Sequence, residues 1–166
     1  VEMELEEVYA LYVGDIYRYI YSLCRHPQTT EDLLQETFYK AYISSLSKSV
    51  DDIKPWLFKV AYYTYIDYCR KEARISPVKE VDEAVYDTPE SIWLEQDSYH
   101  QLLNLVNLLA PLEKQAILLC DIQDCTQQQA AMILDLKINT LKSHLLRGRK
   151  KMRELIKKEE KKDGRL

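Results

Sequence analysis

Apolar and aromatic side chains recur at three- and four-residue steps from Leu5 to Leu23, at Leu5, Val8, Tyr9, Tyr12, Ile16, Tyr19, Ile20 and Leu23. A period near 3.6 lines these positions up as one stripe along a helix and does not match the alternation of a strand. The same spacing returns in later segments. With only three Gly and five Pro in 166 residues, the chain is also short of the turn residues that an all-β protein needs. The expected fold class is all-α.

The breaks between periodic runs divide the chain. RHPQTT ends the first run, because Pro27 is excluded from a helix interior. Thr29 or Thr30 is expected to cap the second helix, with Glu31 and Asp32 at its positive end. That helix, TEDLLQETFYKAYISSL, carries Leu34, Phe38 and Ala41 on one side and Asp32, Gln35, Glu36 and Lys40 on another. After the polar loop SKSVDDIK, Pro55 is placed to open a third helix, PWLFKVAYYTYIDYCRKEAR, with Trp56, Val60, Tyr63 and Ile66 expected to face inward. ISPVKEVDEAVYDTPESIW, acidic and interrupted by two prolines, predicts a flexible connector. The expected organisation is a helical domain over 1–74, an acidic linker over 75–91 and a second helical domain over 92–166.

In the second domain, SIWLEQDSYHQLLNLVNLL and LAPLEKQAILLCDIQ each predict a helix, the latter with Pro111 near its start. Within TQQQAAMILDLKINTLKSHLLRGRKKMRELI, Thr126 and Gln129 have the spacing of a capping box, and Ala130, Ala131 and Ile133 are expected to pack inward. A break around Asp135 to Asn139 ends this helix and caps the next. Two helices joined by so short a turn, the second rich in bases, predict a helix-turn-helix.

Charge follows the same division. Acids against bases number 12 to 9 in residues 1–74, 7 to 1 in 75–98 and 8 to 13 in 99–166, so a chain of net charge -4 keeps a basic end. A basic segment suits a polyanion partner, and the acidic middle suits a solvated connector or a second interaction surface. In a DNA-reading helix the early side chains reach base edges: here Asn139, Thr140, Lys142, Ser143 and His144. Arg147, Arg149, Lys150 and Lys151 follow as candidate phosphate contacts. A solvated basic helix is the plainer alternative. In the third helix, Tyr62, Tyr63, Tyr65 and Tyr68 interleave with Lys59, Arg70, Lys71 and Arg74, a pattern suited to stacking on unpaired bases beside held phosphates. Tyrosine half-buried in a helix interface would look the same.

EDLLQETFYKAY and PWLFKVAYYTYIDYCRKEAR, then the connector, then LAPLEKQAILLCDIQDCTQQQAAMILDLKINTLKSHLLRGRKKM, resemble in order and spacing the two domains of an extracytoplasmic-function (ECF, group IV) sigma factor of bacterial RNA polymerase. The resemblance implies that the first domain binds the β′ clamp of core polymerase through Asp32, Gln35 and Glu36. It also implies recognition and melting of the minus-ten element through Lys59, Tyr62, Tyr63, Tyr65, Asp67, Arg70, Lys71 and Arg74. The second domain would touch the β flap and read the minus-thirty-five element through Asn139, Thr140, Lys142, Ser143, His144, Arg147, Arg149 and Lys150. Tyr62 and Tyr63 replace a polar pair common in the family, and His144 stands where Arg is usual. The linker, with Glu80, Asp82, Glu83, Asp87 and Glu90, would run toward the polymerase cleft as a polyanion mimic or serve as a plain tether. An anti-sigma factor, membrane-associated, is the implied inhibitor.

No apolar run of membrane-spanning length occurs, and the acidic start VEMELEEVYALY is unlike a signal peptide, so the expected location is cytoplasmic, with no direct membrane insertion. Cys24, Cys69, Cys120 and Cys125 have no zinc or redox spacing and are expected to be small buried hydrophobes. Neither a catalytic constellation nor a metal site is evident, so no enzyme activity and no cofactor is expected. Two other readings fit the residues: a stand-alone helix-turn-helix transcription regulator, and an inactive sigma-like interaction protein.

Overall fold

A computed structural model describes residues 4–75 and 97–164. These residues form helices and connecting turns, with no strand among them. The chain divides into two compact units, Val1–Trp93 and Leu94–Leu166. The acidic connector and the first residues of the helix expected from Ser91 lie outside the described residues.

The first unit is three helices packed on one another: α1 (Leu5–Cys24), α2 (Pro27–Ser45) and α3 (Ile53–Ile75). The stripe on α1 is buried at Val8, Ile16, Tyr19, Ile20 and Leu23, while Leu5 and Tyr9 stay exposed near the start. Arg25 ends α1 in the left-handed region at φ 57°, its amide donating to the Tyr21 carbonyl at 2.8 Å. This lets α2 begin two residues later. The cap of α2 is His26, whose Nδ1 accepts from the Thr29 amide at 3.3 Å, rather than Thr29 or Thr30. Thr30 is buried instead, donating to the His26 carbonyl at 2.7 Å.

On α3 the core face is Leu57, Phe58, Ala61 and Thr64, one position away from the expected Trp56, Val60, Tyr63 and Ile66. Phe58 meets Tyr19 with ring centroids 5.2 Å apart. The compact Ala and the self-bonded Thr64, which donates to the Val60 carbonyl at 2.7 Å, sit where α3 packs, and the large amphipathic rings are left toward the rim. This shift decides which tyrosines can meet a partner.

The second unit comprises α4 (Asp97–Val106), α5 (Pro111–Ile117), a π-helical turn (Leu118–Ile122), α6 (Gln127–Ile133) and α7 (Ile138–Lys162). Thr126 and Gln129 form the expected capping box, at 3.1 and 2.9 Å. Asp135 at φ 51° closes α6 in a Schellman turn: the Leu136 amide donates to Ala131 at 2.9 Å and the Asp135 amide to Met132 at 3.3 Å. Lys137 is the N-cap of α7 and provides no side-chain cap, so the expected capping there by the Asp135–Asn139 segment is not made. Four residues separate the two helices. Ala130, Ala131 and Ile133 pack inward with Leu141, Leu145 and Met152 of α7. Of the cysteines only Cys125 is buried. Cys69 is exposed, because α3 turns it outward.

Candidate nucleic-acid interface

Helix α7 is anchored by Leu141, Leu145, Gly148 and Met152, all buried. At about 100° per residue, Asn139, Ser143, Leu146 and Lys150 point the opposite way, and all four are exposed. Lys142 lies on one edge of this face and Arg147 on the other, both exposed, and Thr140 is exposed beyond Arg147. His144 is half-buried, with Nδ1 3.1 Å from Arg147 Nη2. Ser143 donates to the Asn139 carbonyl at 3.0 Å, which leaves its oxygen able to accept.

Acids from the same unit hold both edges of the helix. Arg149 donates from Nε and Nη2 to Asp121 at 3.0 and 2.7 Å. The π-helical turn carries Asp121, whose geometry lets it meet α7 from the side. On the opposite edge, Glu113 is only 5% exposed and accepts from Lys151 Nζ at 2.8 and 3.1 Å, with Arg147 Nε at 3.7 Å. The hydrogen bond from Lys151 holds the Glu113 carboxyl below its ordinary value, against burial, which raises it. Arg149, expected from the sequence to contact DNA, is about half exposed and is paired bidentately with Asp121. Lys142 and Lys150, by contrast, make no ion pair with a described residue.

This division separates two roles in experiment. Lys150→Ala is expected to lower the slope of log affinity against log salt by about 0.9, the loss of one phosphate contact. Arg149→Ala should leave that slope unchanged and cost at most about 1 kcal/mol, since its ion pair is half exposed. Equilibrium binding over a salt series, with urea unfolding of the same variants, measures both.

Glu113 also makes stability pH-dependent. Its folded pKa is depressed, so its contribution is complete above the unfolded value of 4.5 and is lost as pH falls through that value toward the folded one. The urea midpoint should therefore fall below about pH 4.5, and less steeply in Glu113→Gln, which has no carboxyl to protonate.

In the first unit, Tyr62 and Tyr63 form an edge-to-face pair with centroids 5.4 Å apart. Tyr63 is 39% exposed, and Tyr62 is half-buried, which raises its phenol pKa. Tyr65 donates its hydroxyl to the Leu23 carbonyl at 3.2 Å, and burial raises its pKa strongly. It therefore pins α3 to α1. Tyr68 and Lys59 are half-buried, while Arg70, Lys71 and Arg74 are exposed near the end of α3. Asp67 lies 3.8 Å from both Lys40 and Arg70, tying α2 to α3. On α2, Asp32 and Gln35 are exposed and Glu36 is half-exposed, pairing with Lys40 at 3.0 Å, while Leu34 and Phe38 pack behind. Sequence reading had missed three residues that matter here: Glu113, Asp121 and Leu146. Of these only Leu146 carried a local signal, as an apolar residue off the buried stripe.

Residues 8–75 match the family Sigma-70 region 2, and residues 99–152 match Sigma-70, region 4. The chain is 29% identical over 155 residues to the ECF RNA polymerase sigma factor SigM of Bacillus subtilis, covering 92% of this chain and 95% of that protein. It is 26% identical over 160 residues to the ECF RNA polymerase sigma factor SigE of Mycolicibacterium smegmatis, spanning 62% of that longer protein. The fold is similar to that of the sigma factor RpoE solved in complex with the anti-sigma factor NepR from Bartonella quintana, with TM-score 0.76 and 24% identity over 92% of this chain and 96% of that one. Region 2 followed by region 4, the latter closing on a helix-turn-helix, defines a transcription initiation factor of the sigma-70 type. The chain belongs to the sigma-70 family and is similar along its length to ECF sigma factors. No helix among the described residues is long and apolar enough to cross a membrane.

Proposed function

We propose that this chain, as a group IV sigma factor, binds core RNA polymerase and directs it to a limited set of promoters, with no catalytic activity or cofactor of its own. The observation carrying this reading is the pairing of a sigma region 2 unit with a region 4 unit whose α7 turns a polar and basic face to solvent. In this reading residues 1–74 bind polymerase and open the minus-ten element, 75–91 connect, and 92–166 read the minus-thirty-five element.

Asp32, Gln35 and Glu36 meet the β′ clamp, and the second unit meets the β flap. Tyr62 and Tyr63, with Lys59, Arg70, Lys71 and Arg74, engage the opened strand, while Tyr65 and Asp67 hold α3 in place. Asn139, Thr140, Lys142, Ser143, His144, Arg147 and Lys150 meet the minus-thirty-five duplex, and Arg149 braces the helix. The protein works in the cytoplasm and is held inactive by an anti-sigma factor, membrane-associated in this proposal. The RpoE structure with NepR supports such control by analogy.

Run-off transcription with purified bacterial core polymerase on a genomic fragment library tests this reading. Discrete new start sites are expected when the protein is added. Stable polymerase binding without transcripts would favour an inactive sigma-like protein, and no binding at all would favour a stand-alone regulator.

A further inference from the structure

Leu146 is the most exposed large apolar side chain on α7, at 69%, although that helix buries Leu141, Leu145 and Met152. Single exposed apolar residues are ordinary on protein surfaces and by themselves mean little. The position of this one is informative. It stands in the outward face two turns into the helix, with Lys142 and Ser143 one turn before it and Lys150 one turn after. A helix laid in the major groove by those cations brings the residue between them against base edges. There Leu146 has no hydrogen-bonding group, so it can discriminate only through apolar contact. The C5-methyl of thymine is the apolar group that the major groove of unmodified DNA presents.

Resting on the sigma-factor reading above, we infer that Leu146 is a specificity residue that selects thymine at one position of the minus-thirty-five element by packing on its methyl group. The neighbours argue for DNA over a protein partner. Lys142 and Lys150 make no ion pair with a described residue, and Asn139 and Ser143 add hydrogen-bonding groups to the same face, an arrangement suited to phosphates and base edges. Leu146 makes the face selective where the cations alone would make it only adhesive.

The test uses the full chain with core polymerase on a promoter obtained by run-off transcription. Each thymine of the minus-thirty-five element is replaced in turn by deoxyuridine, which removes only the methyl. One replacement is expected to weaken promoter binding about threefold to fourfold, the factor for burying one methyl-sized group. Leu146→Ala should remove that sensitivity at the same position while keeping the salt slope, and Leu146→Gln should remove it as well. Because the side chain is exposed, neither change threatens folding, and far-ultraviolet circular dichroism checks this.

Promoter use with no uracil-sensitive position, or with unchanged sensitivity in Leu146→Ala, would overturn the inference and leave the sigma-factor reading standing. Unchanged uracil sensitivity together with lost binding to a protein inhibitor would reassign Leu146 to a protein interface. Absence of any transcript would instead count against the sigma-factor reading itself.

Discussion

Gly148→Val is expected to destabilise the C-terminal unit by about 2–3 kcal/mol, whereas Gly148→Ala should be close to neutral. Gly148 sits in the middle of α7, where a glycine costs about 1 kcal/mol relative to alanine, so its presence needs a reason. A Cβ there would lie 3.1 Å from Ile117 Cγ1 and 3.2 Å from the Glu113 carbonyl oxygen. The helices α5 and α7 therefore cross at nearly bare backbone. One methyl asks its neighbours to give by a few tenths of an ångström, and the improved helix propensity offsets this. The two further methyls of valine must enter the same contact, which a shift of a few tenths of an ångström does not accommodate.

Hydrogen exchange in the full chain checks this prediction. Amides of α5 and α7 should lose protection in Gly148→Val while those of α1–α3 keep theirs. Equal protection in both units would mean that the crossing can open without cost. Because Arg147 and Lys150 lie within one helical turn of Gly148, the valine variant should also lose promoter binding. Gly148→Ala should retain it.

Replacing Tyr62 and Tyr63 together with alanine is expected to impair strand opening far more than closed-complex binding. Base stacking on an aromatic side chain contributes about 1–3 kcal/mol per base, so loss of one stacked base alone would reduce open complexes roughly fivefold to more than a hundredfold. Exposure favours Tyr63 as the larger contributor, with Tyr62 holding its ring at the edge-to-face angle. Permanganate footprinting of unpaired thymines measures opening, and gel shifts at low temperature measure the closed complex. Equal loss of both, with a lower melting temperature, would make the pair a packing feature of α3. Tyr65→Phe is the useful contrast: it deletes the hydroxyl that bonds Leu23 and should cost about 1 kcal/mol of stability without a selective effect on opening.

Several features were legible in the residues because their causes are local. The α1 stripe, the Pro27 break, the capping box at Thr126 and Gln129 and the short turn before α7 all depend on neighbours within a turn or two of helix. The α3 face was misread by one position. Its tyrosines and Trp56 are both apolar and polar, so two adjacent stripes looked equally able to pack. In the structure Phe58 lies against Tyr19 of α1, on the face that also buries Leu57, Ala61 and Thr64. His26 is the α2 cap because the helix begins at Pro27, which places Thr29 and Thr30 inside it rather than at its start.

The roles of the basic residues on α7 depended on partners far away along the chain. Arg149 and Asp121 are 28 residues apart, and Lys151 and Glu113 are 38 apart. Composition and spacing identify a basic helix after a tight turn, because charge and periodicity are properties of the segment itself. Which of its cations are braced against the protein, and which remain for DNA, depends on how α5 and the π-helical turn pack beside it. An ion pair forms only where folding brings two charges within about 4 Å, and separation along the chain does not specify that distance.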